Sequence, residues 1–367
     1  MADVRVERLA GLVVNYSLGV RKNDLMMIAG ESSGEPLIRE AMRAALERGA
    51  NIMTQIAFPW QDELFFKLAA DHQLEYVNPV QKFQIEQITR FLGIVCTTNS
   101  KRLTRVAPEK TAKTSKARYE INDRFMQRAA AKELTWCGVA FPGSGDAQDA
   151  EMGIEAWENF VFEACLCDKP NPVKAWKEVG ARQEEMVKYL NKAKSFRIEA
   201  DGTDFKVEAG GRKWINCDGK YNMPDGEVFT APIEDSAEGR IRFNVPAVHA
   251  GREVSGVEVT FKKGKAVKAK AAKAEDYMNE MLNMDKGARY LGEFAIGTNF
   301  GIKDYTKKIL FDEKIGGSIH MAFGRCYEEC GGTNKSALHW DMILDLRKGG
   351  TLIADGKKIV VDGVIKI

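Results

Sequence analysis

The sequence predicts an α/β protein in two parts, an N-terminal α/β domain with a mostly parallel sheet and a sheet-rich, mixed α/β C-terminal domain. Three observations predict it. The 367 residues, 44% of them hydrophobic, are enough for two cores. Up to about residue 190, short apolar runs alternate with amphipathic helical patterns, as in strand–helix–strand units. Near residue 195 the period shortens to two, which places a domain boundary there, with residues 1–195 on one side and 196–367 on the other.

Leu25-Met26-Met27-Ile28-Ala29 is a short continuous apolar run, broken by Gly30 and Gly34, and reads as a buried strand. Pro36 then stands where a first helical turn accepts proline, and Leu37, Ile38, Ala41, Met42, Ala45 and Leu46 recur at helical spacing before a stop at Gly49. Asn51–Ile56, Phe91–Thr97 and Leu134–Phe141 are the next strands. Ala150–Asn191 is helical except at Asp168-Lys169-Pro170-Asn171-Pro172, where two prolines force a break. Beyond the boundary, Phe196–Ala200, Asp204–Ala209, Arg240–Val245 and Val254–Phe261 alternate as strands. One helix is expected near Ala274–Asn283 and a terminal hairpin at Asp355-Gly356.

Charge and composition exclude several classes. Lys and Arg total 54 against 52 Asp and Glu, so the chain has no single-sign field to hold nucleic acid or an anionic membrane. Lys101–Arg118 carries seven basic residues and one acid but no interleaved aromatic on which bases could stack, and reads as a solvated helix face or connection. No apolar run approaches the roughly 18 to 20 residues of a spanning helix, and Met1–Ala10 lacks a signal-peptide pattern. Seven cysteines with no CxxC pair suit a reducing compartment, so the expectation is a cytoplasmic protein.

Metal-ligating and proton-transferring residues concentrate in the last third. His339 and Asp341 form His-x-Asp on an extended segment, which puts imidazole and carboxylate on one face and offers the nitrogen and oxygen donors favoured by zinc, cobalt or manganese. His320 follows Ile315-Gly316-Gly317-Ser318-Ile319, where two glycines permit close approach, and precedes the buried-strand pattern Met321-Ala322-Phe323-Gly324. Glu293 interrupts the otherwise uncharged Leu291–Gly297, where an acid is costly unless paired or metal-bound. Glu313 lies in Phe311-Asp312-Glu313, and Glu238 precedes Gly239 at the start of a strand. Several oxygen donors with two imidazoles are what a pair of divalent ions needs.

In order along the chain come Phe229-Thr230-Ala231-Pro232 with Glu238-Gly239, Leu291-Gly292-Glu293-Phe294-Ala295, Leu310-Phe311-Asp312-Glu313, His320-Met321-Ala322-Phe323-Gly324, Tyr327, and Ser336-Ala337-Leu338-His339-Trp340-Asp341-Met342. This set closely resembles the thermophilic metallo-aminopeptidase family that includes aminopeptidase T, AmpS and PepS. The resemblance extends weakly to Leu12–Leu18 and strongly beyond Trp214. It implies a homodimeric two-metal aminopeptidase acting on peptides with a free N-terminus, with Glu238, Glu293, His320, His339 and Asp341 as metal ligands. It further implies Glu313 as an acid close to the metals and Tyr327 as a neighbouring tyrosine. Glu293 or Glu313 would be the general base, and Tyr327 a donor to the oxyanion. The chain is longer than the family pattern around Ile315-Gly316-Gly317 and shorter between Tyr327 and His339.

Two other readings compete. Gly30-Glu31-Ser32-Ser33-Gly34 matches a nucleophile elbow between strand and helix, which would make Ser32 the centre of a serine hydrolase, although the same residues serve equally as turn and cap. His320, Cys326, Cys330 and His339 could instead form a structural Cys2His2 zinc site in a protein that catalyses nothing.

Overall fold

The computed structural model describes residues 3–367, which divide into two compact units. The first comprises residues up to Val173 together with Gly219–Pro224, and the second comprises Lys174–Asp218 and Asp225–Ile367. The change of period near residue 195 falls inside the second unit. Helix Pro172–Leu190 precedes it, and that helix buries Met186, Val187 and Leu190 in the second unit's core.

The first unit is built on a parallel sheet in the order Asn51–Ala57, Leu25–Glu31, Arg90–Val95, Thr135–Ala140, Asn222–Met223. The predicted strands are all present. Leu25–Glu31 lies inside the sheet and buries Met26, Met27 and Ile28, whereas Asn51–Ala57 is an edge strand and largely exposed. Helix Glu35–Glu47 begins with Pro36 in its first turn and buries Leu37, Ala41 and Ala45. The last strand, two residues long, returns from beyond residue 218 and is too short to leave a periodic signature.

The second unit contains an eight-stranded antiparallel sheet, a two-stranded ribbon and a five-stranded antiparallel sheet. The eight-stranded sheet includes Ser195–Ala200, Thr203–Glu208, Glu238–Phe243 and Val257–Lys262, and contains the hairpin Thr351–Ala354/Lys357–Val361 that turns at Asp355-Gly356 as expected. Helix Glu275–Leu282 lies where the periodicity placed it. The five-stranded sheet runs in the order His339–Asp345, Ser318–Gly324, Leu291–Gly297, Glu227–Thr230, Ile215–Cys217. Its faces are segregated by the two-residue period of the strand. Val228, Phe294, Ile296, Ile319, Met321, Phe323, Trp340, Met342 and Leu344 enter the hydrophobic core. The alternate positions form the other face, and the candidate site lies on it.

Among the described residues, no helix is long and apolar enough to cross a membrane.

Candidate metal centre

The strand register assembles the site. Glu293 and Asp341 both pair with Ala322, His339 pairs with Gly324, His320 with Ala295, and Glu227 with Gly297. In antiparallel pairing, directly opposed residues share a face, so Glu227, Glu293, His320, His339 and Asp341 project from the same side of four adjacent strands. Ala295, Gly297, Ala322 and Gly324 share this face and leave room for the longer side chains and whatever they bind.

Two glycines shape this face. Leu291 opposes Phe323 while Glu293 opposes Ala322, which makes Gly292 the extra residue of a bulge. A Cβ on Gly292 would meet the carbonyl oxygens of Arg325 and Gly324 at 2.2 and 2.3 Å, so no larger residue can turn Glu293 toward the cluster in this way. Gly226, at φ +114°, precedes Glu227, and a Cβ there would lie 2.8 Å from Asn299 Cβ. The buried Gln183 amide fastens the same strand by donating to the Glu227 carbonyl at 2.7 Å.

Each imidazole is held by its Nδ1. His320 Nδ1 lies 2.9 Å from the Glu313 carbonyl oxygen, and His339 Nδ1 lies 2.8 Å from that of Arg325. Nδ1–H donates to these carbonyls, and both Nε2 atoms turn to the acids, as second-shell carbonyls do for ligating histidines. His320 Nε2 stands 3.4 Å from Glu227 Oε2 and 3.4 Å from Glu293 Oε1, while His339 Nε2 stands 3.4 Å from Glu293 Oε2 and 3.7 Å from Asp341 Oδ1. Glu293 thus spends one oxygen on each imidazole. Three overlapping donor groups result, Glu227–Glu293–His320, Glu293–His339–Asp341 and Glu313–His320–Asp341, each with its ligand atoms within 4.8 Å of one another. A fourth joins Cys217 and Asp225 to Glu227.

The electrostatics match a cation centre. Glu227 Oε2 and Asp341 Oδ1 are buried and have no hydrogen-bond donor. Burial pushes Glu227 up to about 8, and the fields of Glu313 and Glu293 add to it against those of Lys314 and His320. Burial likewise lifts Asp341 to about 6, reinforced by Glu313 and Glu293. Burial disfavours charge on His320 and His339, but the carboxylates around them prevail and raise them to about 10 and about 9. The same hydrogen bonds outweigh burial at Glu293 and lower it to about 2. Clustered buried acids whose oxygens lack donors, beside Nε2 atoms aimed inward, fit divalent ions, and the mixed nitrogen–oxygen set is that of borderline or hard metals. Tyr327, 44% exposed, lies at the rim with its ring 5.0 Å from that of Phe229 and 5.5 Å from that of His339. Burial of its surroundings and the nearby acids Glu293 and Asp341 raise its phenol, which stays a proton donor.

The structure corrects one candidate ligand. Glu238 is exposed on the strand Glu238–Phe243 of the eight-stranded sheet, and its Oε1 accepts from the Lys263 N–H at 2.7 Å. Its neighbours Gly239 and Arg240 make no apolar run, and water already satisfies an acid in such a place. Glu227 occupies the site instead. A sequence signal for it existed, because Gly226-Glu227-Val228-Phe229 repeats the pattern of Gly292-Glu293-Phe294, an acid after glycine at the head of an apolar strand. Lys314 was also missed; it is fully buried beside Glu313 and Glu227.

The competing sites are built otherwise. Ser32 lies in a short turn, Ser32–Gly34, where the neighbouring Ser33 hydroxyl donates to the Cys96 carbonyl at 3.0 Å. Cys326 and Cys330 pack with Phe229, Ala231 and Ala295 in an apolar cluster, and neither belongs to a metal-capable group among the described residues.

The chain is similar to known proteins over nearly all of its length. The family model described as Thermophilic metalloprotease (M29) matches residues 2–362. Aminopeptidase 2 of Geobacillus stearothermophilus is 27% identical, over 97% of this chain and 96% of its own. Aminopeptidase T of Thermus thermophilus is 27% identical, over 88% of this chain and 85% of its own. The solved structure of wild-type AmpT from Thermus thermophilus superposes with a TM-score of 0.86 over 99% of both chains at 24% identity, a likeness of fold.

Proposed function

Because this chain belongs to the thermophilic metalloprotease (M29) family, we propose that it is a metal-dependent aminopeptidase that removes N-terminal residues from peptides, with its catalytic centre on the five-stranded sheet of the C-terminal domain. Glu227, Glu293, His320, His339 and Asp341 would hold two divalent ions, zinc, cobalt or manganese, with Glu313 alongside. When bound, the ions would supply Lewis acidity toward the scissile carbonyl and lower the pKa of the attacking water.

The protein's own groups account for the rest. Both Glu293 oxygens are committed to imidazoles, whereas Glu313 commits only Oε1, to Lys314, so Glu313 would be the general base that takes the water's proton and passes it to the leaving amine. Tyr327 donates a hydrogen bond to the tetrahedral oxyanion. The surplus of acids attracts the α-ammonium of a free N-terminus and confines cleavage to that end. The protein acts in the cytoplasm, as a homodimer.

The reading rests on one observation, the convergence of these five side chains from four strands onto one face with overlapping donor groups. The test is bound metal measured together with hydrolysis of a panel of aminoacyl substrates, before and after chelation. Chelation should abolish hydrolysis and restored metal should return it, whereas a serine-directed phosphonate should do nothing. Full activity in a metal-free protein would defeat the reading.

A further inference from the structure

Lys314 has no exposed surface. It follows the short helix Ile309–Asp312, and its backbone is fixed at both groups: its N–H donates to the Phe311 carbonyl at 3.0 Å, and its carbonyl accepts from Asn299 N–H at 3.0 Å. The ammonium therefore cannot leave the site for water. It pairs with Glu313 Oε1 and lies 3.6 Å from Glu227 Oε1.

Both glutamates belong to the His320 side of the cluster, in the groups Glu227–Glu293–His320 and Glu313–His320–Asp341. Among the described residues, no lysine or arginine is paired with Glu293, His339 or Asp341. This lysine thus bears on one half of the site. It also fixes the geometry of Glu227, whose Oε1 faces Lys314 while Oε2 faces His320 Nε2 at 3.4 Å.

We propose that Lys314 competes with one of the two cations, so that the Glu293–His339–Asp341 position binds a divalent ion tightly and the Glu227–Glu293–His320 position binds its ion weakly and exchangeably. This inference rests on the two-cation reading above. It makes catalysis responsive to the free metal concentration, since the second ion comes and goes while the first stays.

The test is calorimetric titration of the chelator-stripped full chain with Zn²⁺, in the unaltered protein and in Lys314→Met. The unaltered protein should show two steps, the second weaker by on the order of tenfold or more. In Lys314→Met the second step should tighten by a similar factor while the first is unchanged. Coincident steps in the unaltered protein, or an unmoved second step in the variant, would overturn the proposal. Saturation at one equivalent in both proteins would defeat the two-cation reading itself. Should Lys314→Met fail to fold, crystals of the unaltered protein grown with one equivalent of Zn²⁺ decide the matter by anomalous scattering. The ion should sit against His339 and Asp341, and an ion found first against Glu227 and His320 would overturn the proposal.

Discussion

Glu227 and Glu238 stand eleven positions apart in the sequence, and substituting each by glutamine separates the site from its surroundings. Glu227 is 6% exposed, with one oxygen lacking any donor and 3.4 Å from the His320 imidazole. Glutamine keeps the shape but removes the charge that a cation needs. Altering a group that merely orients a ligand costs about 10- to 100-fold in metal affinity, so loss of a direct donor should reach roughly 100-fold or more, about 2.7 kcal/mol. Glu238 is exposed, and its carboxylate accepts one hydrogen bond, from the Lys263 N–H at 2.7 Å. Glu238→Gln should cost at most about 1 kcal/mol of stability and leave metal affinity unchanged. The assay is Zn²⁺ titration of the stripped proteins, with urea unfolding as a control on the fold. If Glu238→Gln lost its metal while Glu227→Gln bound like the unaltered chain, the geometric argument for the site would be refuted.

Three further outcomes are expected. Gly292→Ala drives a Cβ into two carbonyl oxygens at the bulge, so it should destabilise the second unit by about 1–3 kcal/mol in urea unfolding and lower metal content with it; a fully stable, fully loaded variant would show that the bulge is unimportant. Tyr327→Phe should lower kcat by roughly 100-fold or more with KM and bound metal little changed, and an unaltered kcat would remove the tyrosine from the mechanism. Asp285 accepts from Ala337 N–H, Ser336 Oγ, Gly287 N–H and Ala288 N–H and thereby pins the approach to His339; the Ala337 bond leads in depressing its pKa, and together with the other three it outweighs the opposing effect of burial. A depressed carboxylate stabilises the fold above its ordinary range and loses that contribution as the pH falls through its lowered value, so Asp285→Asn should cost about 1 kcal/mol near neutrality and nothing in strong acid. A cost that stayed constant down to acid pH would contradict this assignment.

Much of this architecture is legible in the chain. Leu25–Ala29 is buried on an inner parallel strand and therefore apolar throughout, and Thr203–Glu208 alternates because one of its faces is wet. The Asn222–Met223 strand escapes notice because two residues have no period, and the helix Pro172–Leu190 reads as continuous with the first unit although its apolar stripe packs in the second. At the site, Glu293, His320, His339 and Asp341 betray themselves as polar groups in buried strands. Glu238 resembled them only through an adjacent glycine, a cue that marks turns as readily as sites. Glu227 carried the stronger cue, an acid heading Val228-Phe229, yet which strands become neighbours depends on long-range pairing that no local window reports. Lys314 illustrates the same limit, since a lysine after a helix reads as solvated until its acidic partners are seen to enclose it.

The segregated faces of the five-stranded sheet tie folding to ligation. Sliding any one of its four donor-bearing strands by a single residue would send a donor into the hydrophobic interior and bring Val228, Phe294, Met321 or Trp340 out in exchange. The oily side therefore proofreads the charged side: a misregistered chain is expelled by its own core before it can misplace a ligand. Because that interior sets the strand register, the stripped protein should keep its shape and accept metal into a cradle already cut to size.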